Sequence, residues 1–306
     1  MNLPSHTLRR IVIANDGLSG LATALAKAAR LEHYTGAELE LRSVIWDSVA
    51  EEAQALTEAD RALLIEALKG AERQGLRAIA DPIAPHVAQL ESQVLWHRSA
   101  EEAILDTVRT HAADLLIKPA ASRHGVSDLF RTPLDWQLMR GAPCGVLLSR
   151  DQPWPESGCI LAAVDALDTR HALLTETVLE TARILAGALG LPLHIACAYP
   201  ALGQATGALQ AADDYAGIKA DMRRMRATAI AHWQSVLKLP DAVVHIVEGR
   251  PATAIASLAE QQHAAVTVVG TSARAGLGKL VLGNTAEDLL AHLPGDVLSV
   301  RVPRAT

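Results

Sequence analysis

Apolar positions along the chain fall into two alternating rhythms. Short unbroken runs rich in β-branched residues, such as Ile11-Val12-Ile13-Ala14, are followed by longer stretches in which apolar residues recur every three or four positions. The first rhythm is that of buried strands and the second that of helices packed on one side. In the first half this predicts a strand at Arg10 to Ala14, a helix at Leu18 to His33, a strand at Glu38 to Val44, and one long helix or a broken pair from Ala50 to Gly75. A short strand at Val94 to His97, a helix at Ala100 to His111, a strand at Asp114 to Ile117, a helix at Pro133 to Arg140 and a strand at Gly145 to Ser149 complete it.

The second half reads in the same order. Strands are expected at Cys159 to Val164, Leu193 to Ala198, Ala242 to Val247, Val266 to Val269 and Val297 to Arg301. Between them lie helical patterns at Ala172 to Leu189, Ala211 to Leu237, Pro251 to His263 and Thr285 to His292. Apolar strands separated by helices imply an α/β fold whose mostly parallel five-stranded sheet is covered on both faces, because each crossover lays a helix over the sheet. Sheets of this kind bind ligands outside the carboxyl ends of their strands.

The two halves also match in letters. Ile11 to Asp16 parallels Ile160 to Asp165, and His111 to Ile117 parallels His263 to Val269. A repeat of roughly 150 residues is the size of one domain copied once, too long for a solenoid unit. The expected organisation is a domain at 1–150, a Pro- and Gly-bearing linker at 151–158 and a second domain at 159–306.

Composition narrows the function classes. Of 306 residues, 50% are hydrophobic and 20% charged, with a net charge of −6 and only five Trp, three Tyr and one Phe. A stacking platform or phosphate-tracking surface for nucleic acid has little material here. The longest apolar runs are strand-length, short of the roughly 20 residues that cross a bilayer, and Met1 to Arg10 shows no leader pattern. No membrane association is expected, and the cytoplasm is the expected address. Cys144, Cys159 and Cys197 are odd in number and widely spaced, so they read as small buried hydrophobes. The twelve histidines show no metal-ligand spacing, and no metal is expected.

Chemistry concentrates near the end of the chain. The strand Val266 to Val269 runs into Gly270-Thr271-Ser272-Ala273-Arg274-Ala275-Gly276-Leu277-Gly278-Lys279, and Gly283-Asn284-Thr285-Ala286-Glu287 follows three residues later. A glycine-rich turn bares backbone N–H groups, and a helix opening at Asn284, with Glu287 completing a capping box, adds unpaired N–H groups at a positive end. Together these suit a phosphate; a turn and a capped helix with nothing bound fit the same spacing. A Walker loop would need glycine at Ala273 and Ser or Thr at Leu280, and Gly276-x-Gly278 lacks a third glycine at Val281.

These residues resemble the universal stress protein family in its tandem form, closest to the E-type branch. The family pattern of Gly-x-x-Gly, nine residues, then Gly and a polar residue is met by Gly270 and Gly283-Asn284-Thr285. The first half agrees through Lys118-Pro119-Ala120 and Thr132 to Gln137, and the second through Val247 to Ala252. The resemblance implies two Rossmann-like domains of the adenine nucleotide alpha hydrolase type and a non-catalytic role in the stress response. It further implies ATP or another anionic ligand in the second domain. By position the base and ribose would lie at Ala163, Asp165 and Cys197, and the phosphates at Gly270, Thr271, Ser272, Ala273, Gly283, Asn284, Thr285 and Ala286. Family members pair through their last strand, so Gly145 to Ser149 and Val297 to Arg301 would pair as an intramolecular pseudo-dimer, with a homodimer of the whole chain also open.

The chain departs from the pattern at Ala273, where the family has its second glycine. If that turn needs a positive φ, the side chain costs about 1 kcal/mol. In the first half, Lys118 followed by Pro119 takes the place of Gly270 and Arg131 that of Gly283, so no nucleotide is expected there. Lys118, Arg123 and Arg131 then read as solvated surface charge or as an anion site made of side chains. Asp16 and Asp165 each read as a ribose contact or as a cap on the following helix, and Arg250-Pro251 as a helix start.

No catalytic constellation emerges. Asp16-Gly17-Leu18-Ser19-Gly20 lacks the Ser-Gly-Gly-x-Asp-Ser loop of related pyrophosphate-releasing synthetases, and no Gly-x-Ser-x-Gly elbow is present. Two further readings stand beside the ligand-binding stress protein: an interaction scaffold with both sites empty, and a slow ATPase.

Overall fold

The structure is a computed structural model that describes residues 8–15, 17, 19–52, 56–120, 133–201, 215–271, 288 and 292–302. The chain divides into two compact units, Met1–Trp154 and Pro155–Thr306.

The first unit runs β1 (Arg10–Asn15), α1 (Leu21–Thr35), β2 (Glu38–Ile45), α2 (Ser48–Glu52), α3 (Glu58–Ala80), β3 (Leu90–Trp96), α4 (Ala100–Thr110), β4 (Leu115–Pro119), α5 (Pro133–Gly141) and β5 (Gly145–Ser149). Its strands are ordered β3-β2-β1-β4-β5, and every pairing among them is parallel. Helix α1 packs with α3 and α4 with α5, and Ile11, Val12 and Ile13 of β1 between them are fully buried. The continuous apolar run of β1 is thus the mark of a strand covered on both faces.

Local signals set the helix ends. Thr57 and Ser99 accept from the backbone N–H groups of Asp60 and Glu102, each at 3.2 Å, opening α3 and α4. Gly36 in the left-handed region (φ 70°) closes α1. The pattern from Ala50 to Gly75 resolves into the broken pair, α2 and α3. Strand β3 begins earlier than expected because Glu91, Ser92 and Gln93 are polar; as an edge strand it is held by pairing with β2 and needs no apolar run.

The second unit repeats the plan with β6 (Cys159–Ala163), α6 (Ala172–Leu189), β7 (Leu193–Tyr199), α7 (Tyr215–Val236), β8 (Val243–Glu248), α8 (Pro251–Gln261), β9 (Ala264–Gly270) and β10 (Asp296–Val300), its strands ordered β8-β7-β6-β9-β10 and all parallel. Proline opens α8 in its first position, as Arg250-Pro251 predicts. Of the expected helix from Thr285 to His292, only Asp288 and His292 lie within the described residues.

Strand register corrects the alignment of the halves by one residue. Ile13 pairs with Ile117, and its counterpart Ala162 pairs with Val268, so Lys118 matches Val269 and Pro119 matches Gly270. The next residues agree: Ala120 N–H donates to Ser149 O at 2.7 Å, and Thr271 N–H to Val300 O at 2.8 Å. Matching His111 to His263 by letter misses this, because both α4 and α8 leave through a residue at positive φ, Ala112 (48°) and His263 (49°), which the letters set one place apart.

Lys118 is therefore neither surface charge nor an anion site. It sits inside β4, fully buried, with its Nζ 2.9 Å from the equally buried carboxylate of Asp135 in the first turn of α5 and 3.0 Å from Pro119 O. Arg123 and Arg131 lie outside the described residues.

Candidate functional site

In both units the strand order reverses beside the first strand, between β1 and β4 and between β6 and β9. That is where parallel α/β sheets open a crevice at their carboxyl ends.

In the second unit Ala163 ends β6, Cys197 stands near the end of β7 and Gly270 ends β9. These three adjacent strands bring Ala163, Asp165, Cys197, Gly270 and Thr271 to one end of the sheet. Ser272, Ala273, Gly283, Asn284, Thr285 and Ala286 lie outside the described residues. Asp165 is exposed and accepts from Leu167 N–H at 3.3 Å, closing a tight turn. Further on, Asp168 caps a short 3-10 turn, Thr169–His171, by accepting from Arg170 N–H at 3.1 Å, and α6 starts at Ala172 with no side-chain cap. Hydrogen bonds from His171 and Arg170 hold the Asp168 carboxyl down at about 2.

Gly270 is crowded. A Cβ placed there would lie 2.8 Å from Leu174 Cγ in the first turn of α6. Thr271 is buried and donates its hydroxyl to Val300 O at 3.1 Å, so its side chain is committed to the protein.

Charge at this end comes from α7. The guanidinium of Arg226 lies beside the Cys197 thiol and 5.6 Å from the centre of the Tyr199 ring, and its Nη1 donates to Met222 O at 3.2 Å. Its buried Nε finds no acceptor among the described residues. Beyond it, Glu248 at the end of β8 takes Lys219 Nζ at 2.5 Å and the Tyr199 hydroxyl at 3.4 Å. Burial raises the Cys197 thiol and Asp165 raises it further, against the lowering pull of the Ala166 N–H and Arg226, so the group stands as a neutral thiol. Burial alone lifts Cys159 to about 11. Cys144 is half-buried rather than buried, and none of the three cysteines is in a disulfide.

The same end of the first unit is built differently. Asn15 Nδ2 donates to Ser43 Oγ at 3.0 Å and to Glu72 Oε1 at 3.1 Å, and Ser43 Oγ donates to Glu72 Oε1 at 2.5 Å. Register makes Ser43 the counterpart of Cys197. Glu72 follows Ser43 by 29 residues, the separation of Arg226 from Cys197, and reaches the strand end from α3 as Arg226 does from α7. Asp16 lies outside the described residues.

Sequence reasoning missed Arg226 and Glu72. The available signal was their equal spacing from the second strand of each half, which the fold alone makes meaningful. Among the described residues no group of three or more His, Cys, Asp or Glu could hold a metal ion, and no helix is long and apolar enough to cross a membrane.

Two Rossmann-like units in tandem, each with its strand order reversing beside the first strand, define a doubled α/β fold. Comparison with known proteins says which. The sequence profile of the universal stress protein family matches residues 7–150 and 158–301, and the chain belongs to that family. It is 31% identical to the Universal stress protein E of Photorhabdus laumondii over 217 residues, 69% of each chain. It is 27% identical to that of Escherichia coli (strain K12) over 282 residues, 91% of this chain and 89% of the relative. Among solved structures, a functionally unknown protein from Pseudomonas aeruginosa PAO1 superposes with a TM-score of 0.72 at 26% identity, covering 98% of this chain and 94% of the other. The chain is thus a tandem universal stress protein similar to the E-type.

Proposed function

We propose that this is a non-catalytic stress-response protein of the cytoplasm whose second unit holds ATP, another adenine nucleotide or a similar anionic ligand at the carboxyl ends of β6, β7 and β9. The observation that carries the reading is Arg226. A guanidinium set over the strand end beside Cys197, with a buried N–H that meets no acceptor among the described residues, is a strong binder of negative charge or of acceptor edges. The resemblance names Ala163, Asp165, Cys197, Gly270 and Thr271 for one site, and these residues lie on or just past the adjacent strands β6, β7 and β9.

A second reading is favoured by the packing of the same segment. Leu174 over Gly270, and Thr271 bonded to Val300, account for both residues without any ligand, as an interaction scaffold with empty crevices would require. Equilibrium dialysis of the full chain against labelled ATP separates the two. Retention that falls at least about tenfold in Arg226→Glu, roughly 1.4 kcal/mol of binding, supports the ligand site. No retention at millimolar ATP leaves the scaffold.

A further inference from the structure

The first unit carries a cavity of a different chemistry at the outer end of its sheet. About 310 Å³ in volume, it is lined by Trp46 just past β2, Trp96 at the end of β3, Glu51 and Glu52 of α2, and His97 and Arg98. Glu51 Oε2 accepts from the Trp96 indole N–H at 3.0 Å, which fixes the ring and sets a carboxylate at its edge. The Trp46 face already attracts a cation: the guanidinium carbon of Arg98 stands 5.3 Å from its centre.

We propose that this cavity binds an organic cation, one carrying an alkylammonium or guanidinium group, with the indoles of Trp46 and Trp96 as its walls and Glu51 as its counter-charge. Three observations select this class. The volume is that of a small-ligand site, roughly 300 Å³ or more. Indole faces present negative potential, and the two lining carboxylates outnumber Arg98, which is itself drawn onto the Trp46 ring. An adjoining cavity of about 430 Å³, which shares His97, is again acidic, with Glu101, Glu102 and Asp106 against Arg109. The feature belongs to the first unit alone: register puts Glu248 where Trp96 stands, and Pro200, one residue past β7, where Trp46 stands. It is independent of the nucleotide reading, which concerns the other unit.

Calorimetric titration of the full chain with choline and with agmatine tests the proposal, with 3,3-dimethylbutan-1-ol as the uncharged analogue of choline. Saturable binding of either cation is expected, with the neutral analogue at least about tenfold weaker. Arg98→Ala should empty the Trp46 face and tighten cation binding by about threefold or more. Glu51→Gln, which keeps the fold, should weaken it by a similar factor. The proposal is overturned if neither cation saturates in the wild type and in Arg98→Ala, if the neutral analogue binds equally well, or if Arg98→Ala binds no tighter.

Discussion

Where β2 ends, Ser43 lies under the Glu72 carboxylate; where β7 ends, Cys197 lies beside the Arg226 guanidinium. One frame, present twice, has received opposite charges at the same point of its carboxyl end. The exchange recurs elsewhere. The pair Lys118 and Asp135 occupies the first unit where Val269 stands in the second. On the neighbouring strands Glu40, Arg42 and Glu91 form a charged cluster, with Arg42 Nη2 at 2.8 Å from Glu40 and 2.9 Å from Glu91. The counterpart of Glu40 is His194, which meets His245 at 3.1 Å. The backbone hydrogen-bond ladder and the apolar strands fix the frame, and they tolerate these exchanges because each buried charge travels with its partner.

The largest expected effect tests that last statement. Lys118→Met leaves Asp135 buried without its counter-ion, at a cost of about 3–5 kcal/mol to the first unit. The double variant Lys118→Met, Asp135→Leu should recover most of the loss, since no unpaired charge is then left in the interior. Urea unfolding followed by tryptophan emission reports it, because four of the five tryptophans, Trp46, Trp96, Trp136 and Trp154, lie in the first unit. A single substitution without effect would show that the ion pair is not what secures α5 to β4.

Next in size is the glycine that ends β9. Gly270→Val drives a side chain into Leu174 and should cost the second unit about 1–3 kcal/mol. Pro119→Gly at the matching point of the first unit should cost less than about 1 kcal/mol, chiefly through a looser unfolded chain. Adding Leu174→Ala to Gly270→Val should restore stability. If the restored protein also binds ATP as the wild type does, then packing, and not the ligand, explains the glycine.

The fold was legible because its signals are local and repeated. Ile11 to Ala14 and Ile160 to Ala163 announce strands by their unbroken apolar runs, and Arg250-Pro251 announces a helix start by its chemistry. Strand β3 was only half legible, since an edge strand can be polar. The position of Lys118 was illegible: a lysine inside a strand is read as exposed unless its partner is known, and Asp135 is brought to it only by the tertiary fold. Arg226 escaped for the same reason, being one arginine among several on α7 until β7 is seen to end beneath it. Asp165, Cys197 and Gly270 were named through the resemblance alone, and the register places them at or just past the ends of adjacent strands.

The smallest expected effect lies in the histidine pair. Burial holds both imidazoles below their ordinary value of 6.5, and for His194 the charge of His245 adds to the depression. The folded second unit therefore resists protonation that the unfolded chain accepts near 6.5. The pair's contribution to stability is complete above that pH and is lost as pH falls below it through the lowered folded values. In the first unit the matching positions hold Glu40 and Gln93, so the imidazole pair belongs to the second unit's register. Thermal unfolding between pH 7.5 and 5 should lower the second unit's transition, and His245→Gln should flatten that dependence. If His245→Gln leaves the slope unchanged, the acid sensitivity lies outside the histidine pair, and the two units differ at this register without consequence for their response to pH.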